Sequence, residues 1–312
     1  MPELPEVETV RAGLAASLTG AKILSVDVHD VRSLKRHPGS PAEFVESLTG
    51  TRIDAVIRRG KFLWLPLTFA GAQPAGRFAL VGHLGMSGQM LLREPGFEAE
   101  KLNRVSMLCQ TSTGQMVEFR FVDQRIFGSL AIDELVPTRD GGVGGYSDGV
   151  ADGAEFERLI PSKAAHIARD PLDAEFDQDA VIRAFKKKAS GIKRVLLDQQ
   201  VLSGVGNIYA DEALWATKLH YDQPANSIST VKAKQLIAEV QRILAAAVAQ
   251  GGTSFDEQYK NVNGESGYFE VSLNAYGQTD KPCARCGAQI KRDNWMNRGS
   301  HYCPRCQKLR LS

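Results

Sequence analysis

Pro2 follows the initiator Met1, and its small side chain permits removal of that methionine, which would leave a secondary amine at the start of the chain. An α-amino group titrates near 8, against about 10.4 for a lysine, so a useful fraction is unprotonated at neutral pH. Attack of such an amine on an aldehydic carbon gives a charged iminium, an electron sink that acidifies the neighbouring carbon. Glu3 and Glu6 lie beside it, and two carboxylates next to an amine can deliver and remove protons. Acids in a first helical turn are also ordinary partners of the helix dipole, so the residues alone leave both readings open. At the other end, Cys283, Cys286, Cys303 and Cys306 form C-x2-C-x16-C-x2-C. Each two-residue spacer lets one turn aim two thiolates at a common point, and two such turns complete the tetrahedron that Zn²⁺ accepts. Four thiolates close the site, so one structural Zn²⁺ is expected and not a catalytic one. Two redox dithiols are the weaker alternative, because neither pair follows a strand in a βαβ unit. Between the knuckles stand Lys291, Arg292, Asn294, Trp295, Asn297, Arg298, His301 and Tyr302. Basic, amide and aromatic side chains on a metal-held hairpin suit a phosphate backbone.

The elements that must position these groups are legible in the hydrophobic period. Pro5 suits a first helical turn, and Val7, Val10, Leu14 and Leu18 then define one apolar helix face. From residue 22 the period becomes two, with Leu24, Val26 and Val28 alternating with polar residues. Similar runs recur at 52–57, 61–67, 77–84, 104–110, 115–121 and 129–132, which predicts an antiparallel sandwich or barrel. Cys109 falls in one of these strands as a core residue. Residues 137–162 are rich in Gly and Asp and lack periodicity. A helical period returns in Val231, Leu236, Ile237, Val240, Ile243, Leu244, Ala247 and Val248, with Gly251 and Gly252 placed to stop the helix. The expected division is 1–136, a helix with the β structure; 137–165, a linker or surface loop; 166–270, an α domain; and 271–312, a zinc finger.

Composition narrows the class of protein. The chain has 312 residues, 43% hydrophobic and 24% charged, which fits about two globular domains and excludes a disordered or fibrous chain. No run of 18 apolar residues occurs, and the N-terminus lacks a basic stretch leading into an apolar one, so neither membrane spanning nor secretion is expected. A cytoplasmic location follows. The net charge of +2 is unevenly spread: residues 260–312 hold nine basic against four acidic residues, whereas 137–180 hold four against ten. Arg183, Lys186, Lys187, Lys188, Lys193 and Arg194 then form a second basic region, so a polyanion would find two.

Five blocks then occur in order: Met1-Pro-Glu-Leu-Pro-Glu-Val-Glu-Thr9, Arg59-Gly60-Lys61, His83-Leu84-Gly85-Met86-Ser87-Gly88, Gly204-Val205-Gly206-Asn207-Ile208-Tyr209 and the cysteine knuckles. From residue 1 to 306 the sequence closely resembles the bacterial formamidopyrimidine-DNA glycosylase family. The resemblance implies an α+β fold: an N-terminal helix plus antiparallel β-sandwich, then a helix-two-turns-helix α domain and a C-terminal zinc finger, with DNA held in the cleft between. It implies Pro2 as the nucleophile at C1′ of a damaged nucleotide, Glu3 as the proton donor that opens the sugar, and Glu6 as a supporting acid. It further implies Lys61 and Arg298 as proton donors or phosphate contacts in β- and δ-elimination, with His83 and Asn207 as backbone clamps. Met86, Arg125 and Phe127 match the wedge that fills the space left by an extruded base. For Met86 and Phe127 taken alone, a core position is the simpler reading. Arg104 and Lys188 fall near DNA-contacting positions, and residues 251–269 resemble a loop that closes over the lesion. The implied partner is double-stranded damaged DNA, bound by a monomer associated with the bacterial nucleoid. Gly204-Val205-Gly206 lacks the third glycine of a dinucleotide motif, so no nucleotide cofactor is expected. Two departures stand out: Asp123-Gln124-Arg125-Ile126-Phe127-Gly128 replaces the family's Asp-Pro-Arg-Arg-Phe-Gly, and 137–162 is longer than usual. An endonuclease VIII-type enzyme acting on oxidised pyrimidines, or a non-catalytic damage-binding protein, are the alternatives.

Overall fold

The computed structural model describes residues 2–71, 76–98, 100–252, 262 and 273–310. They form two compact units, Met1–His166 with Thr253–Gly267, and Ile167–Gly252 with Tyr268–Ser312. None of the helices described is long and apolar enough to cross a membrane.

The first unit begins with α1 (Leu4–Leu18). Glu3 is its N-cap, and the Glu6 carboxylate accepts the Glu3 backbone N–H at 2.9 Å, satisfying one of the donors that a helix start leaves over. Val7, Val10, Leu14 and Leu18 are all buried, as the spacing predicts, in a core shared with the strands. The strands are β1 (Lys22–Val28), β2 (Arg52–Ile53), β3 (Ile57–Arg59), β4 (Phe62–Thr68), β5 (Arg77–His83), β6 (Gly88–Arg93), β7 (Asn103–Gln110), β8 (Met116–Asp123), β9 (Ser129–Pro137) and β10 (Leu159–Pro161). Their hydrogen bonding runs continuously in the order β10-β9-β5-β4-β2-β1-β7-β8-β6, with β3 paired to β4. β5 and β6 are far apart in that order, yet Met90 of β6 lies against Gly82 of β5, where a Cβ would strike the Met90 methyl. The sheet therefore folds over into two layers around one core, the expected sandwich. A second helix, α2 (Pro41–Leu48), is one the apolar spacing does not predict. Its start is a reciprocal cap, in which Ser40 Oγ accepts the Glu43 N–H at 3.2 Å and Glu43 accepts the Ser40 N–H at 2.5 Å.

Residues 137–165, expected as a linker or surface loop, belong to the first unit and do not bridge the two. Ala151, Phe156, Ile160 and Ala164 are buried, β10 pairs with β9, and Tyr146 exchanges backbone hydrogen bonds with Arg58 at 2.7 and 3.0 Å. Glycine runs hid these contacts, because the segment docks partly through its backbone and its buried side chains follow no regular period. Gly145 packs so closely on β3 that a Cβ would lie 2.5 Å from the Arg58 carbonyl. The expected lesion loop lies outside the described residues except for Gly251 and Gly252 after α6 and for Val262, which is buried in the first unit's core.

The second unit carries α3 (Gln178–Lys186), α4 (Ile192–Leu196), α5 (Asn207–Thr217) and α6 (Thr230–Ala249), then the hairpin β11 (Lys291–Trp295) and β12 (Arg298–Tyr302). Two turns between residues 197 and 206 join α4 to α5. α6 buries Leu236, Ile237, Val240, Ile243, Leu244 and Ala247, and it ends at Gly251 and Gly252, whose φ values of 74° and 83° need glycine.

Candidate functional site

Pro2 precedes Glu3, the N-cap of α1, and Glu3 and Glu6 are 3% and 7% exposed. Glu6 spends a carboxylate oxygen on the helix start, so its first role is to fix Glu3. One turn further, Glu8 accepts hydrogen bonds from Arg11 Nε at 2.9 Å and from Arg58 Nε at 2.8 Å, all three side chains being buried. Arg58 Nη1 also donates to the Gly60 carbonyl at 3.2 Å. A single guanidinium on β3 thus links the helix that carries Glu3 to the turn that carries Lys61. The ring of Tyr146 lies over this group, 5.0 Å from the Arg11 guanidinium and 5.9 Å from that of Arg58. Sequence reading missed Glu8, Arg58 and Tyr146. The only signal was an i, i+3 Glu–Arg pair on the otherwise apolar face of α1.

His83 ends β5, and its Nδ1 accepts the Gly85 N–H at 3.1 Å. Burial pushes its pKa down to about 4, and the positive charges of Arg36 and Lys35 push the same way. The imidazole is therefore neutral at pH 7, with Nε2 as the protonated nitrogen that can donate. Met86 on the next turn is 42% exposed, and Phe127 43%. The Arg125 guanidinium sits 4.7 Å over the Phe127 ring. Between them Ile126 has φ 55°, the left-handed region that a β-branched side chain avoids, and its carbonyl accepts from Lys35 Nζ at 2.6 Å. Met86, Arg125 and Phe127 are brought together: a Cβ on Gly85 would lie 2.6 Å from both Gly128 N and the Phe127 carbonyl carbon, so the two turns abut. Arg104 is engaged within the scaffold, donating to the Asp123 carbonyl at 2.9 Å and pairing with Asp30 at 3.0 Å.

In the second unit, Asn207 opens α5 and its amide nitrogen donates to the Gly299 carbonyl at 3.2 Å. Gly299 follows Arg298, which is exposed at the start of β12. Lys193 of α4 is fully buried and pairs with Asp211 at 2.6 Å while donating to Ser300 Oγ at 2.6 Å. Asp211 also accepts the His301 backbone N–H at 2.9 Å. α4 and α5 therefore hold the hairpin strand just beyond Arg298, a network with no short-range sequence signal. Lys188 pairs with Asp198 at 2.9 Å, near the first of the two turns. Cys283, Cys286, Cys303 and Cys306 bring their sulfurs within 4.8 Å of one another. Four thiolates about 2.3 Å from a tetrahedral ion stand about 3.8 Å apart, so the cluster fits Zn²⁺ with only a small contraction. Trp215 Nε1 of α5 donates toward Cys283 Sγ at 3.4 Å, an outer contact of the type that orients metal ligands.

Three family models match: formamidopyrimidine-DNA glycosylase N-terminal domain over residues 1–130, its H2TH domain over 167–258, and the zinc finger found in FPG and IleRS over 280–309. The formamidopyrimidine-DNA glycosylase of Leifsonia xyli subsp. xyli is 52% identical over 309 residues, covering 99% of this chain and 100% of the relative. That of Salinispora arenicola is 47% identical over 98% of this chain and 96% of the relative. Among solved structures, Lactococcus lactis Fpg in complex with abasic-site DNA superposes with a TM-score of 0.78 at 28% identity, covering 98% of this chain and 99% of that one. The same enzyme with DNA containing N7-benzyl-Fapy-dG gives 0.78 at 29% identity, covering 98% and 100%. With relatives at this identity over nearly their whole length, and with the helix, sandwich and thiolate cluster in their expected places, the chain belongs to the formamidopyrimidine-DNA glycosylase family.

Proposed function

We propose that the chain excises oxidised purines, such as 8-oxoguanine and formamidopyrimidines, from duplex DNA and then nicks the strand at the resulting abasic site. Its full-length likeness to formamidopyrimidine-DNA glycosylases carries the reading. With Met1 removed, the Pro2 nitrogen attacks C1′, the bond to the base breaks, and the base leaves with a proton. Glu3, buried at the start of α1, supplies the proton that opens the sugar ring, and the amine and C1′ are left as an iminium. Loss of a C2′ proton expels the 3′ phosphate, and loss of a C4′ proton expels the 5′ phosphate. Lys61 and Arg298 are suited to neutralise those leaving groups. Met86, Arg125 and Phe127 fill the stack that the base vacates, and His83 and Asn207 contact the backbone as neutral donors. Arg104 and Lys188, whose charges are already paired, are proposed to shape the DNA-facing surface through Asp30 and Asp198. The four-cysteine Zn²⁺ holds the hairpin that presents Arg298, and the chain acts as a monomer on damaged duplex.

Borohydride trapping on an 8-oxoguanine duplex tests this directly. Wild type should yield a covalent protein–DNA adduct that Pro2→Gly nearly abolishes, whereas equal trapping by both would remove Pro2 from the mechanism. Matched duplexes carrying thymine glycol should be processed more slowly than 8-oxoguanine, and the reverse order would assign the chain to oxidised pyrimidines.

A further inference from the structure

Asp123 ends β8 with its carboxylate fully buried, and the three groups that hydrogen-bond to it come from both wedge turns. Oδ1 accepts the Ser87 hydroxyl at 2.6 Å and the Arg125 backbone N–H at 3.1 Å, while Oδ2 accepts the Gly128 N–H at 2.7 Å. Ser87 Oγ also accepts the Arg125 N–H, at 3.2 Å. One carboxylate therefore grips the residue after Met86 and both ends of the segment carrying Arg125 and Phe127. All three donors to the carboxylate are neutral, the nearby Arg104 guanidinium bonding the Asp123 backbone carbonyl, so displacing any donor leaves a buried acceptor unmet. Ile126 sits in its left-handed conformation between the two held ends. We propose that Asp123, through Ser87, is a positioning residue that locks the two turns into one rigid edge, so that the three side chains enter the base stack as a preassembled unit. The inference rests on the wedge reading given above and adds to it what holds the wedge in shape. Side chains that must push between stacked bases gain only if their own backbone does not yield first, which is the value of a rigid support.

Single-turnover rates at saturating protein separate the possibilities, using one duplex with 8-oxoguanine and one with a preformed abasic site. An abasic site has no base to extrude, so it reports the chemistry without the extrusion step. Asp123→Asn turns one acceptor oxygen into a donor facing an N–H, and should slow 8-oxoguanine excision about tenfold while abasic cleavage stays within about twofold. Ser87→Ala, which removes only the link between turns, should show the same split at about threefold and decides the matter should Asp123→Asn fail to fold. Met86→Ala and Phe127→Ala are measured alongside. Should both leave excision unchanged, the wedge reading falls and the clamp with it. Should they slow excision while the two clamp variants match wild type, the clamp alone is overturned. Equal losses on both duplexes in Asp123→Asn and Ser87→Ala would make the network merely structural and also overturn it.

Discussion

His83 shows how burial and neighbouring charge fix a protonation state that residue type alone leaves close to its balance point. Its pKa of about 4, set first by burial and then by Arg36 and Lys35, makes it a neutral hydrogen-bond donor at pH 7. On the proposed function Lys61 and Arg298 meet phosphates as cations, and each such contact would release a counterion that a neutral imidazole does not. His83→Gln should therefore leave the slope of log affinity against log salt unchanged, whereas Lys61→Met and Arg298→Met should each lower it by about one unit. An equal drop in all three would mean that DNA protonates the imidazole. The same shift predicts a stability effect whose sign is fixed. Folding lowers the His83 pKa from 6.5, so between that value and about 4 the unfolded chain binds more protons, and acid weakens the fold through this group. Replacing His83 with Gln removes that penalty, and the variant's melting temperature should gain on wild type as the pH is lowered from 7 to 4.5. Parallel melting curves would contradict the burial of His83. None of this was readable from the His83-Leu84-Gly85 string, because burial in the fold is the first cause and the second is a basic stretch nearly fifty residues earlier in the chain.

At the scale of elements, period and capping chemistry reach as far as local rules extend. The apolar spacing in α1 is visible because it buries one regular face against the core, whereas in β1 the expected alternation holds only from Val26 onward: a register shift between Ile23 and Ser25 buries Ile23 and leaves Leu24 37% exposed. α2 was overlooked although Ser40-Pro41-Ala42-Glu43 spells a capping box, since only Phe44 and Leu48 of its eight residues are buried. β6 was overlooked because its burial does not alternate. What no window reveals is the tie between elements, and Glu8 with Arg58 is the clearest case, the two being 50 positions apart. Glu8 pairs with two buried guanidiniums, so Glu8→Gln removes a negative charge that both share and should cost about 3–5 kcal/mol. Tyr146→Ala removes only the ring above them and should cost about 1 kcal/mol. Calorimetric melting of the first unit measures both. If Tyr146→Ala proved silent, the long segment 137–162 would contribute through its backbone pairing, β10 and the buried Ala151 and Phe156.

For the whole molecule, two separate cores imply two separate ways to fail. The first unit closes its own sandwich core around α1 and Val262. The hairpin β11–β12 has little apolar interior, its buried cluster being Cys283, Ile290 and Cys303 with Trp215 and neighbours packed on it. Zinc then supplies most of what orders it, on the order of 10 kcal/mol for sites of this kind. Lys193 can hold Gly299 and Ser300, and Asp211 can hold His301, only while those residues keep their hairpin register. Stripping zinc with a strong chelator should therefore release Arg298, weaken DNA binding and lower its salt slope, while the melting transition of the first unit is retained. Trp215→Phe makes the milder test, since it keeps an aromatic ring and removes the N–H directed at Cys283. Loss of such an outer contact typically weakens metal binding by about 10–100-fold, so zinc should pass to a competing chelator at correspondingly lower chelator concentration. DNA affinity at saturating zinc should then equal that of wild type, because the ion, once bound, restores the same hairpin. A deficit that persisted in excess zinc would show that Trp215 supports the DNA-binding surface by packing and not through the metal.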